Sequence, residues 1–139
     1  MVPVTNLVFR LSYKGPQYQR LFATQTGIGG LPFERQAEYI KRSPLYHVDS
    51  LAIPFLVHVA TNDLDVDFVE DRQMVDALRS RKGDLAETKI YVDPAIGPDS
   101  SGHTFAQRVD ATTLERLDSP AQVDSWTLVW AFFARHLRP

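Results

Sequence analysis

Ile53-Pro54-Phe55-Leu56-Val57-His58-Val59-Ala60-Thr61-Asn62-Asp63-Leu64-Asp65-Val66 is the stretch whose reading decides the fold. A proline opens it, a mostly apolar run containing β-branched valines follows, and a polar turn rich in acids closes it. A short apolar run bounded by turn residues reads as a strand covered on both faces, which is the pattern of a parallel sheet in an α/β domain. The carboxyl end of that strand delivers Asp63 into a loop. Open α/β sheets hold their chemistry at the carboxyl ends of strands, so Asp63 stands where a catalytic carboxylate belongs. His103 is its expected partner.

Working outward on the C-terminal side, residues 68–82 have helical periodicity. Met74, Val75 and Leu78 fall inward, and Glu70, Asp71, Arg79 and Arg81 outward. A cationic last turn and Gly83 end the helix. Residues 88–92 (Thr-Lys-Ile-Tyr-Val) form a further strand, and 93–104 are dense in Pro, Gly and Ser and read as a loop. A long helix is predicted over 119–137, with Ser119 as N-cap, Pro120 in the first helical position and Gln122 completing a capping box. Val123, Trp126, Trp130, Phe133 and Leu137 recur at alternating spacings of three and four. That stripe is expected to dock on the sheet.

On the N-terminal side, residues 1–9 are apolar and β-branched, and 4–8 read as a strand with an unpaired edge. Residues 10–30 read as a polar, aromatic connection. Its Gly27-Ile28-Gly29-Gly30 lacks the context of a phosphate-binding loop, since no G-x-G-x-x-G follows a strand and no Lys-Ser/Thr follows the glycines. A helix is expected over 32–42 with Phe33, Ala37 and Ile40 on one face, stopped by Ser43-Pro44, with Ser43 capping a short turn. The strand–helix–strand order gives an α/β fold class with a short, mostly parallel sheet of about three strands flanked by helices.

Composition bounds the function. The chain has 139 residues, enough for a single domain over 1–139. It is 44% hydrophobic with a formal net charge of −2 and no basic block, so neither nucleic acid nor an anionic membrane is implied as a partner. No apolar run reaches the roughly 20 residues that span a bilayer, and no leader pattern is visible at the start. Cytoplasm is the default compartment. Without cysteine, disulfides and thiolate metal sites are excluded. No cofactor and no metal are expected: Asp63, Asp65, Asp67 and His58 lack the glycine and terminal Glu of a calcium loop.

Asp63 and His103 fall in loops after successive strands, which open on the same edge of the sheet. A carboxylate there orients an imidazole and stabilises its charged form, while the imidazole takes a proton from a nucleophile. The alternative is that Asp63 caps the following helix and His103 is a solvated loop residue. Asp65 and Asp67 compete with Asp63 for the acid role, and one of them caps the helix. Gly102, ahead of His103, permits a sharp backbone turn.

Four segments carry a resemblance: Ser43-Pro44-Leu45-Tyr46-His47-Val48, Ile53-Pro54-Phe55-Leu56-Val57-His58, Asn62-Asp63-Leu64-Asp65-Val66 and Gly102-His103-Thr104-Phe105. In this order they resemble the C-terminal part of the catalytic α/β-hydrolase domain of prolyl oligopeptidase family serine peptidases. The resemblance implies a partial α/β-hydrolase fold made of the last three strands of an eight-stranded sheet. It assigns Asp63, three residues before Val66, as the triad acid and His103 as the triad histidine, with a peptide or ester substrate. The family's G-x-S-x-G nucleophile elbow does not occur in the chain. Ser100 and Ser101 lie near His103, but adjacency along a loop is not triad geometry. Two functions follow: a serine-hydrolase-like fragment, or a non-catalytic fold fragment that self-associates into a homo-oligomer through the N-terminal strand edge.

Overall fold

In the computed structural model, residues 4–25, 27–96, 102–103 and 105–137 are described. In chain order they form α1 (Leu7–Tyr13), α2 (Pro16–Gln25), α3 (Gln36–Lys41), a 3₁₀ turn (Pro44–Ser50), β1 (Phe55–Ala60), α4 (Phe68–Arg81), β2 (Ala86–Tyr91) and α5 (Pro120–His136). β1 and β2 run parallel in register from Phe55 opposite Ala86 to Ala60 opposite Tyr91, with α4 as the crossover. The molecule is thus a mixed α/β fold in which a small parallel sheet is flanked by helices. Among the described residues the sheet has two strands and not three.

The missing strand is the N-terminal one. Residues 1–3 lie outside the described set, and 4–8, read from their β-branched composition as a strand, lead instead into α1. Asn6 is the reason: its side chain accepts from Phe9 N at 3.1 Å and caps the helix. The strand edge through which two copies were expected to pair is therefore not formed by residues 4–8. Residues 16–25, read as a loop, are also helical, with Pro16 in the first position where its missing N–H is no loss. The helix expected over 32–42 is only α3, and Phe33 points into solvent instead of inward. Ser43 does not cap the 3₁₀ turn with its side chain; its hydroxyl accepts from Leu7 N at 2.9 Å and donates to Tyr39 O at 2.7 Å, fastening α1 to the end of α3.

The middle of the chain packs as its pattern implies. Val57 and Val59 of β1 meet Met74, Val75 and Leu78 of α4, with Val48 of the 3₁₀ turn closing the cluster. A fully buried aliphatic side chain of this kind contributes about 1.5–3 kcal/mol, which is why α4 holds its place over the sheet. A second cluster joins Leu7, Leu11, Ile28 and Tyr39, and a third joins Ala60, Tyr91, Ile96 and Phe105 at the carboxyl end of the strands.

Two charges and one helix face are reversed from expectation. Glu70 and Asp71, read as outward, are both fully buried, because the N-terminal segment folds back over the first turn of α4. Glu70 Oε1 accepts from the backbone N–H of Thr5 (2.7 Å) and Asn6 (3.0 Å), and Oε2 accepts from the Tyr13 hydroxyl (2.7 Å). α5 forms with the expected capping box between Ser119 and Gln122, yet it buries Gln122, Ser125 and Phe132. The stripe containing Val123, Trp130, Phe133 and Leu137 faces solvent.

Candidate active site

The loop after β1 bends because Asp63 folds its carboxylate back onto it. Oδ1 accepts from Asp65 N at 2.7 Å and Val66 N at 3.0 Å, an Asx turn that leaves the Asp63 side chain with no exposed surface. Capping of α4 falls to Asp67, whose side chain accepts from Val69 N at 2.8 Å. Asp63 is thereby free for a second task. Its Oδ2 lies 2.9 Å from His103 Nδ1, and Oδ1 lies 3.1 Å from the same nitrogen. The structure therefore brings together the two residues singled out in the sequence, although 40 positions separate them.

Gly102 makes the approach possible. Its φ is +69°, and a Cβ at this position would collide with Asn62 Oδ1 and lie 2.9 Å from both Asn62 C and Asp63 N. Any other residue pushes the His103 loop away from the acid.

The carboxylate is an acceptor, so the Nδ1 position carries the proton and Nε2 presents its lone pair. About a third of the His103 side chain is exposed. Nε2 is 3.6 Å from Asp65 Oδ2. Asp65 is itself held by Arg10, with 3.2 Å to each carboxylate oxygen, and by Lys14 at 3.0 Å. Burial pushes the Asp65 carboxyl up, but Lys14 and Arg10 outweigh it and hold it below the ordinary carboxylate value. A charged imidazole at this place has one carboxylate at each ring nitrogen. The Nε2 side of the ring is thus shared with a second acid.

A second carboxyl lies behind Asp63. Among the described residues, neither oxygen of Asp71 has a hydrogen-bond partner. Burial, reinforced by the charges of Asp63 and Glu70, raises it to about 8, so it is neutral through most of the physiological range. Arg10 is buried too; burial opposes its charge, but the Tyr18 hydroxyl at 2.9 Å and the nearby Asp65 sustain it.

His58, considered in the sequence as a metal ligand beside Asp63, Asp65 and Asp67, points elsewhere. Its Nδ1 is 2.8 Å from Ser125 Oγ, joining β1 to α5, and its ring meets Tyr91 edge-on at a centroid distance of 5.7 Å. Burial lowers it to about 4, so it is neutral. Imidazole and hydroxyl form a hydrogen-bonded couple here, and both residues are buried. Ser100 and Ser101 lie outside the described residues.

Sequence reasoning missed Arg10 and Lys14. Both lie in the stretch 10–30 read as a connection; recognising Asn6 as an N-cap would have put Arg10 on a helix and Lys14 at its C-terminal end. Comparison with known protein families, with curated proteins and with solved structures finds no match.

Proposed function

We propose that the chain is a serine-hydrolase-like unit of partial α/β-hydrolase fold, in which Asp63 and His103 serve as acid and general base for cleaving an ester or peptide bond. The observation that carries this reading is the 2.9 Å contact between a fully buried carboxylate and the Nδ1 of a part-exposed imidazole. In the reaction, His103 Nε2 takes the proton of a hydroxyl nucleophile as its oxygen bonds to the carbonyl carbon. Asp63 stabilises the imidazolium, which then returns the proton to the leaving group as the carbonyl–heteroatom bond breaks. The nucleophile is a water, or a hydroxyl from outside the described residues. Hydrolysis of p-nitrophenyl esters tests the reading: His103→Ala and Asp63→Asn are expected to lower the rate by about 10²-fold, the general-base range. Equal rates for the wild type and His103→Ala overturn it.

The position of Asp65, 3.6 Å from Nε2, favours a second reading. A carboxylate on the side where a nucleophile would approach suits a fold that keeps the pair structurally while serving as a non-catalytic, self-associating unit. An Asp65→Asn variant as inactive as the wild type, in a protein where His103→Ala changes nothing, supports this second reading.

A further inference from the structure

The backbone of Asp65 is fixed without help from its carboxylate. Its N–H is given to Asp63 Oδ1 at 2.7 Å, and its carbonyl accepts from Arg10 Nη1 at 3.3 Å. The half-exposed carboxylate reaches beyond these bonds to the front of His103. There Oδ1 meets Lys14 Nζ at 3.0 Å and Arg10 Nη2 at 3.2 Å, while Oδ2 lies 3.2 Å from the same Nη2 and 3.6 Å from His103 Nε2. Each distance exceeds the roughly 2.7–2.9 Å of a well-made charge-assisted bond. Both oxygens also share one guanidinium nitrogen, whereas Arg81 holds Asp49 through Nε and Nη2 at 2.6 Å each. A carboxylate tied to this backbone fits the place only loosely.

The two cations have other supports. Arg10 Nε donates to the Tyr18 hydroxyl at 2.9 Å and Nη1 to the Tyr13 hydroxyl at 3.3 Å. Lys14 Nζ stands 5.7 Å from the centre of each of the same two tyrosine rings. With the Asp65 side chain turned into solvent, a guanidinium edge and an ammonium remain beside the imidazole.

We propose that the Asp65 carboxylate fills an acyl site, standing in for the carboxyl group of a substrate or product, with Arg10 and Lys14 as the oxyanion donors. The placing of its two oxygens is the ground. Oδ1, between Lys14 and Arg10, marks the carbonyl oxygen, and Oδ2, on the Nε2 side, marks the attacking oxygen. The catalytic use of the site rests on the hydrolase reading; its capacity to bind a carboxylate does not. In the reaction Asp65 swings aside, and a water oxygen bonds to the acyl carbon as Nε2 takes one of the water protons. The carbonyl π pair moves onto the oxygen facing Lys14 and Arg10. That pair then re-forms the carbonyl, the bond to the leaving oxygen breaks, and the imidazolium proton passes to the leaving oxygen. In its observed place the Asp65 side chain excludes the acyl group and acts as a built-in inhibitor.

Acetate is the probe, titrated against the full chain and read on the His103 ring by NMR. Asp65→Ala is expected to bind it about tenfold more tightly than the wild type, and adding Lys14→Gln is expected to reverse the gain. Asp65→Asn, which keeps the size and not the charge, is expected to give a smaller gain and serves where circular dichroism shows Asp65→Ala unfolded. On p-nitrophenyl acetate, Asp65→Ala is expected to raise kcat/KM, and adding Lys14→Gln to lower it by about 10²-fold, the range for loss of an oxyanion donor. Acetate bound no more tightly by either Asp65 variant than by the wild type, or bound regardless of Lys14, overturns the proposal. Acetate binding as expected beside hydrolysis indifferent to His103→Ala overturns the hydrolase reading and leaves the carboxylate site standing. Where hydrolysis does depend on His103, an Asp65→Ala rate no higher than the wild type removes Asp65 as inhibitor.

Discussion

Gly102 is the residue on which the candidate site depends most directly. Its left-handed φ and the close approach of Asn62 and Asp63 mean that a single added methyl strains the backbone and moves the loop. Gly102→Ala is expected to separate His103 from Asp63 while β1, α4 and β2 stay folded. The check is the Nδ1 proton resonance of His103 in the NMR spectrum, which should lose its downfield position in the variant although the methyl signals of Val57, Val59 and Leu78 keep theirs. A retained His103 resonance defeats the expectation. At this scale the sequence was legible. Asp63, His103 and Gly102 each carry a local mark: an acid closing an apolar strand, a histidine in a Gly- and Ser-rich loop, a glycine immediately before it. Asp65 was legible only as a rival acid, because its guanidinium and ammonium partners come from a helix that β-branched composition concealed.

Among the elements, α1 depends on the first turn of α4. Glu70 gathers two backbone N–H groups and a phenol hydroxyl into one buried carboxylate, and each such charge-assisted bond contributes about 1.5–3 kcal/mol. Glu70→Gln replaces one acceptor oxygen with a donor that faces groups already donating. The expected result is local: amide hydrogen exchange in α1 accelerates at least tenfold while that of β1 and β2 is unchanged. Uniform acceleration across the chain would show that α1 and the sheet open together. The same element explains why the periodic reading of α4 was right about its apolar face and wrong about Glu70 and Asp71. Met74, Val75 and Leu78 repeat at the helical spacing, so their side was fixed by period alone. Whether an acid opposite them meets water depends on what folds back from 65 residues earlier, and no local pattern carries that. α5 fails in the same way: its stripe is periodic, but the helix docks through Gln122, Ser125 and Phe132, chosen by the hydrogen bond of Ser125 with His58 and of Gln122 with Ala106 O.

For the molecule as a whole, two buried titratable groups set a pH profile. Asp71 has its folded value raised from 3.8 to about 8, so the folded state binds the extra proton and stability falls as pH rises through that window. His58 has its folded value lowered from 6.5 to about 4, so its contribution is present above 6.5 and is lost as pH falls toward 4. Between about 4 and 6.5 the two slopes cancel, and above that range only Asp71 acts, at about 1.4 kcal/mol per pH unit. The wild type is therefore expected to be level in urea stability up to about pH 6.5 and to lose about 2 kcal/mol by about pH 8. Asp71→Asn is expected to remove that loss and to gain stability as pH rises toward 6.5. A wild type without the loss at mildly alkaline pH, or an Asp71→Asn variant that keeps it, contradicts the assignment.

The register of the sheet has a consequence for how the chain comes to be made. Phe55 pairs with Ala86, so partners stand 86 − 55 = 31 positions apart with a whole helix between them. No tight turn can zip these strands together. A nascent chain must extend to Thr88 before Phe55-Leu56-Val57 finds its strand partners, and during that interval a largely apolar hexamer is without them. Synthesis thus passes through a stage at which aggregation competes with closure, and α4, which lies between the two strands in sequence and packs on Val57 and Val59, is complete before β2 is.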